Sequence, residues 1–176
     1  DEGYRKVREA YISVPRKNSK NTFCSALACY MLFATGEQGA QVYCVATTAE
    51  QGRICFRIIA GMIRQQPTLR GMCRILESRS EILVPSTNSR LKVPSRIAGQ
   101  AHGLNPSFVI YDELHAATNG DLYAAMLTGS GARREPLLCA ITTAGHSRAS
   151  ICYAKYAYAK RWLSGAIQDD AFFAYI

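Results

Sequence analysis

Val14-Pro15-Arg16-Lys17-Asn18-Ser19-Lys20-Asn21-Thr22 stands between a short apolar strand over residues 10–14 and a stretch of helical spacing over 20–34. In that helical stretch Ala26, Leu27, Tyr30 and Met31 fall on one stripe. Strand, tight polar loop and helix, in that order, are the parts of a phosphate-binding loop. Such a loop turns backbone N–H groups and a helix N-terminus towards an anion. A lysine then serves the β- and γ-phosphates, and a Ser or Thr hydroxyl serves Mg²⁺. Aligned on Lys20, the pattern GxxxxGK[ST] puts Val14 at the first glycine, Ser19 at the second and Asn21 at the hydroxyl. Only the lysine is kept. Taken alone, the stretch also describes many strand–loop–helix units that bind nothing.

A second motif lies downstream. Phe108-Val109-Ile110-Tyr111-Asp112-Glu113 is an apolar strand that ends in two adjacent acids. Ligands of open α/β sheets sit beyond the carboxyl ends of the strands, which is where this pair would stand. Asp112 then holds Mg²⁺, and Glu113 polarises an attacking water. The bland alternative is a strand ending in a solvated turn. Order decides between them, because the phosphate loop follows the first strand and the acids follow a later buried one. Leu137-Leu138-Cys139-Ala140-Ile141-Thr142-Thr143-Ala144-Gly145 is a third candidate, a buried strand closing on hydroxyls and a Gly turn. Thr142 and Thr143 are placed to sense a γ-phosphate, or are plain strand-end hydroxyls.

Around these motifs, strands alternate with helices. Strands are expected over 41–46, 107–111, 137–142 and 171–176, a hairpin over 80–84 and 90–94, and helices over 49–64, 121–127 and 149–163. The stretch 95–106 is the least structured. This predicts an α/β fold, P-loop NTPase-like, with a mainly parallel central sheet flanked by helices, and a single domain over 1–176. The last strand runs to the final residue, so a fragment of something longer is expected.

Composition narrows the partners. Lys and Arg number 21 against 13 Asp and Glu, a net charge of +8. No acid occurs over 51–76, where Arg53, Arg57, Arg64, Arg70 and Arg74 fall, nor over 82–111, where Arg90, Lys92 and Arg96 fall. Such acid-free basic stretches are either solvated surface or a nucleic-acid contact. Seven cysteines without a CxxC pair, mostly in apolar runs, read as reduced core residues of a cytoplasmic protein rather than a disulfide or zinc framework. No apolar run approaches the ~20 residues of a membrane helix, so no membrane partner is expected.

Val14-Pro-Arg-Lys-Asn, Ala46-Thr-Thr-Ala-Glu-Gln51, His102-Gly-Leu-Asn-Pro-Ser-Phe-Val-Ile-Tyr-Asp-Glu-Leu-His115 and Ile141-Thr-Thr-Ala-Gly145, in that order and spacing, resemble the ATPase domain of tailed-phage terminase large subunits. Asp169-Asp170-Ala-Phe-Phe-Ala-Tyr-Ile176 resembles the segment leading out of that domain, so the likeness covers essentially the whole chain. The resemblance implies an ATPase that translocates duplex DNA, independent of sequence, into a capsid. It implies ATP and Mg²⁺ as cofactors, with a terminase small subunit and a capsid portal as partners. It further implies a homo-oligomeric ring during packaging, with the isolated fragment expected as a monomer. In that family a nuclease domain follows, which is expected to lie outside this chain. The expected setting is the cytoplasm of an infected or lysogenic bacterium.

The resemblance also implies residue roles. Arg16, Lys17, Asn18, Ser19, Lys20, Asn21 and Thr22 form the nucleotide loop, Arg16 also acting in catalysis, and Thr143 contacts the nucleotide. Asp112 and Asn21 face the metal, Glu113 is the catalytic base, and Thr142-Thr143 is the coupling motif. An adenine-contacting glutamine motif belongs upstream, and nothing before Ala10 matches it. Arg96, Arg133, Arg134 and Arg148 are candidates for an arginine finger acting on a neighbour's site, and His102 for a subunit or γ-phosphate contact. Relatives carry Gly, Lys and Ser/Thr where this chain has Ser19, Lys20 and Asn21. Two other readings therefore stay open. One is a nucleotide-binding or structural module that has lost turnover, such as a degenerate prophage copy. The other is a helicase-like ATPase, which calls for stacking aromatics that the basic stretches mostly lack.

Overall fold

Alternation of apolar side chains along the central strands sets the layers of the fold. In the computed structural model, which describes residues 3–94, 104–117, 120–143, 145 and 147–176, eight strands form one sheet. They are β1 (Glu9–Ser13), β2 (Gln41–Val45), β3 (Arg74–Leu76), β4 (Glu81–Val84), β5 (Ser89–Lys92), β6 (Phe108–Asp112), β7 (Leu137–Thr142) and β8 (Phe172–Tyr175). Their spatial order is β3-β4-β5-β2-β6-β7-β1-β8. From β5 to β8 in that order every pairing is parallel, while β4 runs antiparallel to both of its neighbours. The mainly parallel α/β sheet expected from the sequence is what forms.

One face carries Val42, Cys44, Phe108, Ile110, Cys139 and Ile141, packed under α1 (Lys20–Phe33) and α2 (Ala49–Gln65). The intervening residues Tyr43, Val45, Val109, Tyr111, Leu138 and Ala140 face the other way, towards α4 (Asp121–Gly129) and α5 (Ile151–Leu163). Burial on both faces is why these strands read as continuous apolar runs. Beneath α1 and α2 the packing is made partly of thiols. Cys24, Cys44, Cys55 and Cys139 are all at most 2% exposed, and all seven cysteines are free. The neighbouring Cys139 thiol, together with burial, holds the Cys24 thiol far above the ordinary range.

Two elements lie outside the sequence reading. α3 (Pro67–Met72) begins where Gln66 turns extended, at φ −109° and ψ 105°, because the residue before a proline is pushed out of the helical region. β3 then adds a short outer strand to the expected hairpin. Of the stretch 95–106, residues 95–103 fall outside the described residues, and Arg96 and His102 with them. No described helix is long and apolar enough to cross a membrane.

Candidate active site

The register of the sheet brings three strand ends together. Ser13 pairs with Thr142, and Asp112 pairs with Ile141, so the ends of β1 and β6 flank that of β7. The loop after β1 leaves from this edge, with Val14 N donating to Thr142 O at 3.0 Å. Its turn uses two left-handed residues, Lys17 at φ 69° and Ser19 at φ 51°. Ser19 is also the N-cap of α1, yet its side chain makes no capping bond and the first turn holds no acid. By contrast, α2 and α5 are capped, by Thr48 accepting from Gln51 N and by Ser150 accepting from Tyr153 N, both at 3.2 Å. The start of α1 is thus, unlike those of α2 and α5, left without a side-chain cap and open to an anion.

A left-handed conformation costs a residue with a Cβ about 1–2 kcal/mol. Glycine avoids that but loses roughly 0.5–1 kcal/mol more chain entropy on folding. Ser19→Gly is therefore expected to stabilise the chain slightly, by up to about 1.5 kcal/mol, raising the melting temperature by no more than roughly 3–6 °C. A drop of that size in a thermal melt would mean that the Ser19 side chain makes a contact worth more than the strain.

On the acidic side, Asp112 continues the alternation of Phe108 and Ile110 and so faces α1. It is buried, 5% exposed, and its Oδ1 accepts from Glu113 N at 2.9 Å. Burial, and next the charge of Glu113, raise its carboxyl above the ordinary range, while Lys20 and the Glu113 N–H pull it back. Glu113 itself is left-handed, at φ 55° and ψ 45°, which takes its side chain out of the strand alternation. There Lys20 Nζ, coming from the first position of α1, forms an ion pair with Glu113 Oε1. Lys20 and Glu113 are 93 residues apart in sequence, and this pairing joins the two motifs.

Beyond Glu113, a 3₁₀ turn over Leu114–Ala116 packs against the end of β7. His115 N donates to Thr142 Oγ1 at 3.0 Å, and His115 Nδ1 lies 3.1 Å from the same oxygen and 3.4 Å from Thr143 Oγ1. Glu113 Oε2 stands 3.0 Å from His115 Nδ1 without hydrogen-bond geometry, and is buried with no partner. Thr142 and Thr143 are both buried.

The structure therefore brings Lys20, Asp112, Glu113, Thr142 and Thr143 to one edge. Arg16, Lys17 and Asn18 are exposed in the adjoining loop, and Thr22 is exposed on α1. The oxygen of Asn21, Oδ1, is buried and makes no hydrogen bond. An orphaned buried amide oxygen and the buried carboxylate of Asp112 are hard donors of the kind Mg²⁺ takes. Among the described residues no group of three His, Cys, Asp or Glu could hold a metal. Of the arginine candidates, Arg133 is committed elsewhere: it pairs with Glu37 at 2.9 Å and donates to the carbonyls of Gly39 and Asn105, before the starts of β2 and β6. Arg134 stacks on Tyr4, 3.6 Å from the ring centre, and Arg148 is exposed in the turn before α5. His115 is the site residue to which the sequence assigned no role; its only signal was its place one turn after the acids.

Comparison with known proteins adds a family. Residues 1–161 match the family described as terminase large subunit, ATPase domain. The large terminase subunit of Enterobacteria phage HK97 is 28% identical over 137 residues, covering 76% of this chain and 27% of that protein. Protein YmfN of Escherichia coli strain K12 is 42% identical over 77 residues, covering 44% of this chain and 17% of that one. The crystal structure of the HK97 large terminase superposes with a TM-score of 0.81 at 24% identity, over 97% of this chain and 35% of that chain. The large terminase ATPase domain of Thermus phage P74-26 superposes with a TM-score of 0.70 at 18% identity, over 99% and 76%. The solved structures speak to the fold, and the chain spans less than a third of the length of either curated relative.

Proposed function

The chain belongs to the terminase large subunit ATPase-domain family, and from that premise we propose that it is a DNA-packaging motor domain, hydrolysing ATP to move duplex DNA into a capsid. The observation that carries the reading is the meeting of Lys20 with Glu113 beside buried Asp112, at the edge where the β1 loop opens. In this reading residues 16–22 and the open start of α1 bind the triphosphate, with Lys20 on the β- and γ-phosphates. Arg16, exposed at the loop's tip, adds charge towards the transferred phosphoryl group, and Thr143 contacts the nucleotide from β7. Asp112 and Asn21 would hold Mg²⁺, whose charge neutralises the phosphate oxygens when bound. Glu113 orients the attacking water and takes its proton. Lys20 is paired with Glu113, so an incoming triphosphate has to displace that pair, and its displacement leaves Oε1 free for water.

A module that binds nucleotide without turnover shares most of this geometry. Its support is Ser19 in a left-handed turn and an amide in place of the Mg²⁺ hydroxyl at Asn21. The small subunit, the portal, a ring of copies and a host-cytoplasmic setting complete the proposal. The test is Mg²⁺-dependent ATP turnover by the chain, with duplex and with single-stranded DNA. No turnover under any of these conditions sinks the motor reading and leaves the binding module. Stimulation by single strands alone favours a helicase-like enzyme.

DNA contact is assigned to phosphates, since a translocase accepts any sequence. Arg53 and Arg57 are exposed one turn apart on α2 and offer such a face. Duplex affinity is expected to fall steeply with salt. Reversing both charges, Arg53→Glu with Arg57→Glu, should flatten the log–log salt slope by roughly 1.8, about 0.9 for each phosphate no longer neutralised. An unchanged slope would move the DNA face elsewhere.

A further inference from the structure

We propose that His115 is a positioning residue whose single Nδ1–H is shared between Thr142 and Glu113, tying the orientation of the base to the end of β7. The inference rests on Glu113 being the base, as proposed above, and begins with hydrogen-bond bookkeeping. Thr142 Oγ1 has one proton, and that proton goes to Thr143 O at 2.9 Å. The same oxygen already accepts from His115 N at 3.0 Å. Towards His115 Nδ1, 3.1 Å away, Thr142 can then only accept. Glu113 Oε2, 3.0 Å from Nδ1, is a carboxylate oxygen and also only accepts. The one other neighbour able to donate to Nδ1, Thr143 Oγ1, stands at a long 3.4 Å, so we assign the ring proton to Nδ1, where one N–H faces two acceptors at nearly equal distance.

The N–H is aligned with Thr142, and Glu113 Oε2 is left buried without a hydrogen bond. Lys20 compensates by holding the other oxygen, Oε1. Once Lys20 turns to a triphosphate, Glu113 loses that restraint and His115 is the donor already within reach. A small ring rotation gives Oε2 its hydrogen bond and takes the donor from Thr142. The base is then fixed for catalysis, and the end of β7 registers that it has been. Gly145 keeps this arrangement tight: a Cβ there would stand 3.3 Å from His115 Cβ. The loop after β7 thus packs directly on the histidine.

Two measurements test this on the whole chain. Long-range ¹H–¹⁵N spectra of the nucleotide-free protein should show His115 as the Nδ1–H tautomer, assigned by its loss in His115→Asn, and a non-hydrolysable Mg·ATP analogue should shift that resonance. An Nε2–H tautomer, or no shift with nucleotide bound, overturns the proposal. In turnover, His115→Phe should lower kcat by about tenfold to a hundredfold, the scale for partners that orient a catalytic group, with KM changed by less than about twofold. His115→Asn puts an amide nitrogen near the Nδ1 position and should recover most of the loss. Failure of Asn to recover it, or full activity in Phe, means the ring only fills space. If the parent hydrolyses nothing, the motor reading falls, and the tautomer and its response to nucleotide still decide the hydrogen bond.

Discussion

Glu113→Gln is expected to lower ATP turnover by a factor on the order of 10²–10⁴, the contribution of a positioned general base, while nucleotide binding survives or tightens. Gln keeps the size and the acceptor of Glu but cannot take a proton from water. Glu113 is also the partner of Lys20, with side chains 26% and 11% exposed. Losing the negative charge removes a competitor for that lysine. A partly exposed pair is worth up to about 1 kcal/mol, so the gain in nucleotide affinity is bounded at roughly fivefold. Single-turnover kinetics beside calorimetry separates the two effects. Parental turnover in the variant would mean that another group positions the water; much weaker binding would mean that Glu113 supports the loop rather than the chemistry.

The second large effect is expected at Asp112, and it has opposite signs for binding and stability. Asp112→Asn should abolish Mg²⁺-dependent tightening of nucleotide binding, because a buried anionic ligand is lost. Without metal, the same change should stabilise the fold. Burial and the neighbouring charge of Glu113 raise the Asp112 carboxyl, so the folded chain holds that proton more tightly than the unfolded chain. Stability is then lost as pH rises from the unfolded carboxylate range through the raised folded value, and the deficit persists above it. Asn has no such term. The melting-temperature advantage of the variant should be small in acid, grow through that window and level off at neutral pH, at about 2–4 °C for each kcal/mol relieved. A variant that melts lower than the parent at pH 7 without Mg²⁺ would show that ionised Asp112 is a net stabiliser of the fold under those conditions.

The order of elements and the two faces of the sheet were legible because buried parallel strands announce themselves as apolar runs between helical segments. α3 was not: six residues, none of them buried, leave no periodicity to read. β3 is three residues long and borrows its pairing from β4. At the site, the strain at Ser19 followed from comparing the loop with a glycine-bearing pattern, and the residue is indeed left-handed. The left-handed turn at Glu113 had no such signal, since Glu, unlike Asn or Asp, is not enriched in that conformation and no glycine marks it. The contacts of His115 with Thr142 and Thr143 were equally out of reach. They span 27 and 28 residues and exist only because β6 and β7 are neighbours in register.

Cys24 lies one helical turn beyond Lys20, fully buried against Cys139 of β7. Alkylating reagents attack the thiolate, so a thiol shielded and held protonated in this way stays silent while the helix is seated. It reacts only in the instants when α1 lifts from the sheet, and its labelling rate counts those openings. The protein thus carries its own stopwatch beneath the nucleotide loop. Peptide mass mapping of Cys24, timed with and without Mg·ATP, reads how firmly a ligand clamps the first turn of the helix, with no foreign probe installed.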